Sequence, residues 1–214
     1  GAYYTCQREV IAQFVQAEYE SKYDYMVQFK YIDFIDTYSA GFLREIFLEL
    51  KGFDTRFPGA SVEDQEFSFR VAAAGHKMVF VPEARVFHRH AASIGHYFRK
   101  KFNIGYWKTL VLKLHPEKAV KDSHTPQTLK LQLPLAFLIP VTLPTWPILG
   151  CYPSLIIVLA FLLTGFRETL CCIRNKYWSA AAMSPFIMWF RATGLGLGLI
   201  RGMLNPPASK IGLT

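Results

Sequence analysis

Residues 131–166 read LQLPLAFLIPVTLPTWPILGCYPSLIIVLAFLLTGF, and no charged side chain interrupts the 36 residues between Lys130 and Arg167. As one straight helix this run would be about 54 Å long at about 1.5 Å per residue, against a hydrocarbon core of about 30 Å. It is too long for one crossing and slightly short for two. Pro140, Pro144, Pro147, Gly150 and Pro153 gather near its middle, where such residues break helices and form turns. The reading is a helical hairpin, residues about 131–148 and 152–167, that spans or deeply re-enters a bilayer. A buried helical pair in a water-soluble protein is the competing reading, but a chain of 214 residues offers little protein to cover it.

Charge supports the membrane. Residues 1–90 hold 10 basic and 13 acidic side chains, residues 91–130 hold 8 and 2, and residues 131–214 hold 6 and 1. The basic excess begins just before the apolar run and continues beyond it. Lys118, Lys121 and Lys130 precede the hairpin, and Arg167, Arg174 and Lys176 follow it. Both ends therefore share one side, and the positive-inside rule makes that side the cytoplasmic face of a cell membrane. A nucleic-acid partner is not expected, because such proteins spread basic groups over a folded face with stacking aromatics. Disorder is excluded by 51% hydrophobic and 15% aromatic content. Four cysteines, at positions 6, 151, 171 and 172, form neither a disulfide framework nor a metal-site spacing.

A third apolar segment, residues 177–204, contains Arg191. A charge at the bilayer centre costs at least about 2.5 kcal/mol, so an interfacial or re-entrant helix is expected there. Gly194, Gly196, Gly198 and Gly202 do not fit a dinucleotide fingerprint, because the third glycine position falls on Leu199 or Arg201. Close helix packing explains them.

Upstream, the pattern reads as mixed α/β. Residues 7–30 carry helical periodicity without Pro or Gly, Ile35 to Ala40 reads as a short strand, and Gly41 to Leu50 as a short helix. Val62 to Ala74 is a helix closed by Gly75, followed by strands at Lys77 to Val81 and Ala84 to Phe87. Residues 93–114 interleave aromatic and basic side chains, as in a helix lying among lipid headgroups. The resulting division is 1–92, a partial catalytic domain; 93–126, basic aromatic interfacial helices; and 127–214, a membrane-associated helical region.

Three groups of residues are able to carry chemistry. The first is Ser61-Val62-Glu63-Asp64-Gln65-Glu66-Phe67-Ser68-Phe69-Arg70, which reads as a helix start with Ser61 as N-cap and Asp64 as its capping-box partner. An aspartate so held can also face a cleft and take a proton from a hydroxyl. The second is His88-Arg89-His90, whose alternation places both histidines on one strand face. The third is Gly52-Phe53-Asp54 followed by Phe57-Pro58, a turn with an aromatic plug.

Taken in order, these pieces resemble the C-terminal half of a family 2 glycosyltransferase, the inverting type that uses nucleotide sugars. The residues that carry the resemblance are Ser39-Ala40-Gly41-Phe42-Leu43-Arg44, Leu50-Lys51-Gly52-Phe53-Asp54, Glu63 to Arg70, Ala74-Gly75-His76 and Val79 to His88. The fold it implies is α/β, the C-terminal part of a Rossmann-like GT-A domain, followed by an α-helical membrane hairpin and interfacial helices. It further implies transfer of a sugar to an acceptor hydroxyl, on a glycan or a lipid-linked acceptor, with inversion. By that resemblance Asp64 is the general base with Glu63 beside it, and Gly52, Phe53 and Asp54 form the acceptor-side turn. His88 completes a divalent metal site for Mn²⁺ or Mg²⁺, His90 stands behind it, and Arg99, Lys100 and Lys101 meet a diphosphate or lipid headgroups. Arg70 is structural, paired with Glu66 one helical turn away.

The sequence also departs from the family pattern. It has no Asp-x-Asp, since two residues separate Asp33 and Asp36, and no Gln-x-x-Arg-Trp. The donor-binding half is thus expected to lie elsewhere, with this chain a fragment. The alternative is a non-catalytic, membrane-anchored remnant or a partner module of an intact transferase. A metal hydrolase built on His88, His90 and Asp64 lacks a further ligand at a suitable spacing.

Overall fold

The computed structural model describes residues 1–57, 59–120, 123 and 125–207. Pro58 and Lys121, both used above, lie outside the described residues. The chain opens with β1 (Ala2–Tyr4) and α1 (Val10–Met26), then α2 (Arg44–Glu49) and α3 (Glu63–Ala73). Next come β2 (Arg85–Phe87) and the long α4 (Ile94–Leu114). The apolar half follows as α5 (Gln127–Thr142), α6 (Trp146–Leu149), α7 (Tyr152–Thr164), α8 (Phe166–Arg174) and α9 (Trp178–Leu204).

This overturns the α/β expectation. Helix makes up 67% and strand 4% of the described residues, and β1 and β2 form a two-stranded parallel sheet. That is no Rossmann-like GT-A domain or part of one. The reason lies in strand partnership: a strand needs neighbours for its N–H and C=O groups, and a pair alone is marginal. Lys77 to Val81 has β-forming residues, yet it reaches only one bridge, Met78 to Ile32. Ile35 to Ala40 becomes a loop and a single 3₁₀ turn at Thr37–Ser39. Helices close their hydrogen bonds within one segment, so α1 and α3 form where their periodicity indicates. At the end of α3, Gly75 takes the left-handed conformation, φ 82°, that lets the chain turn away.

The apolar run folds as α5 and α6, one nearly continuous stretch from Gln127 to Leu149, then turns at Gly150, φ 70°, into α7. α7 and α8 form a pair bent by 52° across Gly165. Residues 178–204, expected as an interfacial or re-entrant helix, form one continuous helix of 27 residues. Two helical stretches, Gln127–Leu149 and Trp178–Leu204, are thus long and apolar enough to cross a membrane, and the bent pair adds a third if it acts as one span. Ile148, Ile156, Leu159 and Leu163 are exposed, and in water so much bare hydrocarbon would drive association. A lipid environment removes that cost, and the chain is membrane-associated.

Two devices bind the helical halves together. α4 runs along α9, and the glycines of α9 are the contact. A Cβ on Gly198 would strike the Phe102 carbonyl and the Tyr106 amide nitrogen, one on Gly202 would strike Thr109, and one on Gly105 of α4 would strike the Leu195 carbonyl. Backbones meet because no side chain stands between them. The second device is a buried charge cluster. Arg191 is 1% exposed. Its guanidinium donates to Glu168 at 3.0 Å and to the Gln132 side chain at 2.6 Å, and lies 3.6 Å from Glu18. Glu18 also accepts from Lys101 at 2.6 Å and from the Tyr97 hydroxyl at 2.7 Å. The carboxylates neutralise the charge that argued against a crossing, which is why α9 runs unbroken through Arg191.

Candidate functional site

The first turn of α3 carries Glu63 and Asp64. Ser61 does not cap this helix: Val62 occupies the N-cap, and the Ser61 amide instead donates to the Glu63 carboxylate at 2.6 Å. Asp64 closes no capping box with Ser61; its carboxylate accepts from the Gln65 amide at 2.8 Å and lines the cavity described below. Further along α3, the Ser68 hydroxyl accepts from the Ile35 amide at 3.0 Å. That bond pins the 35–37 loop beside the first turn, and the Thr37 amide reaches Asp64 at 3.4 Å. Asp36 is brought against Asp64 by the same loop and accepts from the Tyr38 hydroxyl at 3.1 Å.

Both carboxylates are raised, and Asp36 adds to the shift of Asp64. Burial pushes Asp64 up to about 7, helped by the nearby charges of Asp36 and Glu63. Asp36 is pushed up to about 6, again by burial, against the pull of Lys22 and of the Tyr38 hydrogen bond. Near neutrality Asp64 can therefore accept a proton and give it up again.

Asp36, Glu63 and Asp64 open into a cavity of about 520 Å³. His88 and Lys100 line it too, as do Lys22 and Lys101. Its far walls are apolar: Ile104 of α4, Leu129 and Leu133 of α5, and Leu195 and Leu199 of α9. One space thus joins a pair of carboxylates to the helices that enter the membrane.

His88 is stacked on Tyr3, ring centroids 4.1 Å apart, and burial and then Lys100 lower its affinity for a proton. His90 is buried, its Nε2 3.0 Å from the Gln16 side-chain oxygen, and burial with His88 and Lys100 pushes it down to about 4. Both rings are neutral at pH 7. Among the described residues no group of three or more His, Cys, Asp or Glu converges to hold an ion.

The remaining expected residues lie elsewhere. Gly52 and Asp54 line a separate hollow of about 590 Å³ with Arg56, Glu66 and Arg70. Asp54 is tied to Arg56 at 2.9 Å, and that hydrogen bond holds its carboxyl below the usual range. Gly52 sits at φ 62°, a conformation that favours glycine, and its carbonyl accepts from Arg70 at 2.6 Å. Phe53 joins an aromatic cluster with Phe47 and Phe67. Arg70 holds Glu66 at 2.8 Å, the pairing expected of a structural arginine. Arg99 is exposed and does not line the main cavity, whereas Lys100 does. Asp36 is the residue that sequence reasoning passed over. It entered only as half of a failed Asp-x-Asp, and the one signal for it was its place beside Tyr38 in a polar break between apolar residues.

No protein-family model matches the chain, and neither a curated protein nor a solved structure does. With a helix-dominated fold and no family match, the resemblance to family 2 glycosyltransferases does not hold. The fold and cavity define a helix-rich, membrane-associated chain with a carboxylate pair at the base of its apolar helices.

Proposed function

We propose that this chain activates the acceptor in a membrane-bound sugar transferase, with Asp64 as general base. The observation that carries the reading is the Asp64 carboxylate, raised to about 7, in a cavity that continues to the leucines of α5 and α9. A base of that strength is suited to remove a proton from a hydroxyl near neutral pH.

In the step proposed, an acceptor hydroxyl enters beside Asp64 and its oxygen attacks the anomeric carbon of a nucleotide sugar. The new O–C bond forms as the bond from that carbon to the diphosphate oxygen breaks. The leaving nucleoside diphosphate keeps the electron pair, the hydroxyl proton passes to Asp64, and the anomeric configuration inverts. Asp36 holds negative charge next to the base and thereby raises its affinity for the proton. The basic flanks Lys118, Lys130, Arg167 and Arg174 support a reaction on the cytoplasmic face by the positive-inside rule.

The test is transfer by membranes carrying the full chain, assayed with a panel of radiolabelled nucleotide sugars. Asp64→Asn is expected to lower turnover by about 10²-fold or more while nucleotide retention stays unchanged. Normal turnover by that variant would remove Asp64 from the base role. No transfer by the wild-type chain, alone or with a co-expressed donor-binding partner, would overturn the reading in favour of a non-catalytic membrane module.

A further inference from the structure

The main cavity has two chemically different ends. Near α3 it presents Asp36, Glu63 and Asp64; near the membrane it presents Leu129, Leu133, Leu195 and Leu199. A small polar acceptor would leave those leucines facing water, and a purely apolar ligand would leave the carboxylates without a partner. An amphiphile satisfies both.

Positive charge lies between the ends along the chain. Lys100 of α4 stands one helical turn before Ile104, and Lys130 of α5 one turn before Leu133, with all four side chains lining the cavity. The lysines nearby are engaged: Lys101 with Glu18 at 2.6 Å and Lys118 with Asp33 at 2.6 Å. Lys130 donates to the carbonyls of Ala119 and Val120, which leaves its charge without a carboxylate among the described residues. Lys100 likewise has no carboxylate within 4.0 Å among the described residues. A phosphate between a hydroxyl-bearing head and a hydrocarbon tail gives both lysines a direct negative partner, where Lys100 otherwise acts only at longer range on Asp36.

We infer that the cavity binds a phospholipid-type acceptor: a hydroxyl-bearing head at Asp64, its phosphate at Lys100 and Lys130, and its hydrocarbon against Leu133, Leu195 and Leu199. This rests on the transferase reading for the word acceptor, while lipid binding itself is measured separately.

The experiment uses the full chain in detergent micelles and reads bound lipid by native mass spectrometry. Phosphatidylglycerol, which has hydroxyls, a phosphate and two tails, is the probe; glycerol 3-phosphate is its soluble competitor. The expected result is retention of phosphatidylglycerol against a large excess of glycerol 3-phosphate. Lys100→Gln should weaken retention about tenfold, the loss of one charge-assisted contact. Leu199→Trp should block it by filling the apolar end, with circular dichroism confirming unchanged helix content. Equal binding of glycerol 3-phosphate, or lipid retention untouched by both Lys100→Gln and Leu199→Trp, would overturn the inference. If sugar is transferred to a soluble acceptor while phosphatidylglycerol is ignored, the lipid inference fails and the transferase reading stands. If the lipid binds as described and no sugar is ever transferred, the site is a lipid site and the transferase reading fails.

Discussion

The two stretches long enough to cross a membrane face different surroundings. In Gln127–Leu149, 11% of the most apolar window is buried within the protein, whereas in Trp178–Leu204 the share is 44%. The first bears large exposed side chains such as Leu131, Val141 and Ile148. The second is lined with glycine where it meets α4, and it carries Arg191 into the centre of the protein. Similar length and hydropathy thus serve two ends. One stretch presents hydrocarbon to lipid; the other is the axis on which α1, α4, α5 and α8 converge. Composition does not separate them, but small residues and a lone internal charge do.

The sharpest way to break this contrast is at Arg191. Arg191→Met should cost about 3–5 kcal/mol, because Glu168 and Glu18 lose a buried partner. Thermal unfolding in detergent reads the loss, and Glu168→Gln added to it should recover part of the stability. An additive double variant would show that the pair is not coupled. A matched pair of isoleucines comes next. Ile187→Ala on α9, fully buried, should cost about 2–5 kcal/mol. Ile148→Ala on α6, 86% exposed, should fall within about 0.5 kcal/mol. Equal effects at the two sites would erase the distinction between the helices. Between these lies Gly198→Leu, expected to cost about 1–3 kcal/mol by forcing α4 and α9 apart; unchanged cross-linking between cysteines placed on the two helices would contradict it.

A different kind of effect, one of pH, belongs to the polar end of the cavity. Asp64 and Asp36, raised from 3.8 to about 7 and about 6, bind protons more tightly folded than unfolded. Their contribution to stability is therefore fully present below pH 3.8 and is lost as pH climbs through about 6 and then about 7. Asp64→Asn should flatten the upper part of that decline in a melting-temperature profile. Turnover runs the opposite way, rising with pH through about 7 as Asp64 becomes free to accept a proton.

The membrane half was legible because its signal is local. A charge-free run, prolines at its centre and basic residues at both ends need no knowledge of distant contacts. The small-residue spacing on α9 announced close packing for the same reason. What misled was the region before residue 93. Local motifs there suggested strands, but strands are decided by whether a partner strand arrives, and among the described residues β1 and β2 pair as strands while Met78 reaches a single bridge. Glu63 and Asp64 were visible as a charged helix start. Their joining with Asp36 depends on Ser68 gripping the Ile35 amide across 33 residues of sequence, a contact no pattern in either segment displays. Nor did Arg191 reveal its partner, although Glu168 is the sole acid after residue 130 and on charge alone was the only carboxylate in that half able to meet it.

The order of synthesis gives that pairing another meaning. Glu18 lies on the first helix of the chain and Glu168 only 23 residues ahead of Arg191. Both carboxylates have left the ribosome before the arginine does. When α9 emerges, both carboxylates that pair with Arg191 in the folded chain have already been made, so the arginine does not wait on later residues for its counter-charge. Reversing the order of these charges along the chain, with the folded contacts kept the same, would strand an arginine in the membrane at the moment of insertion.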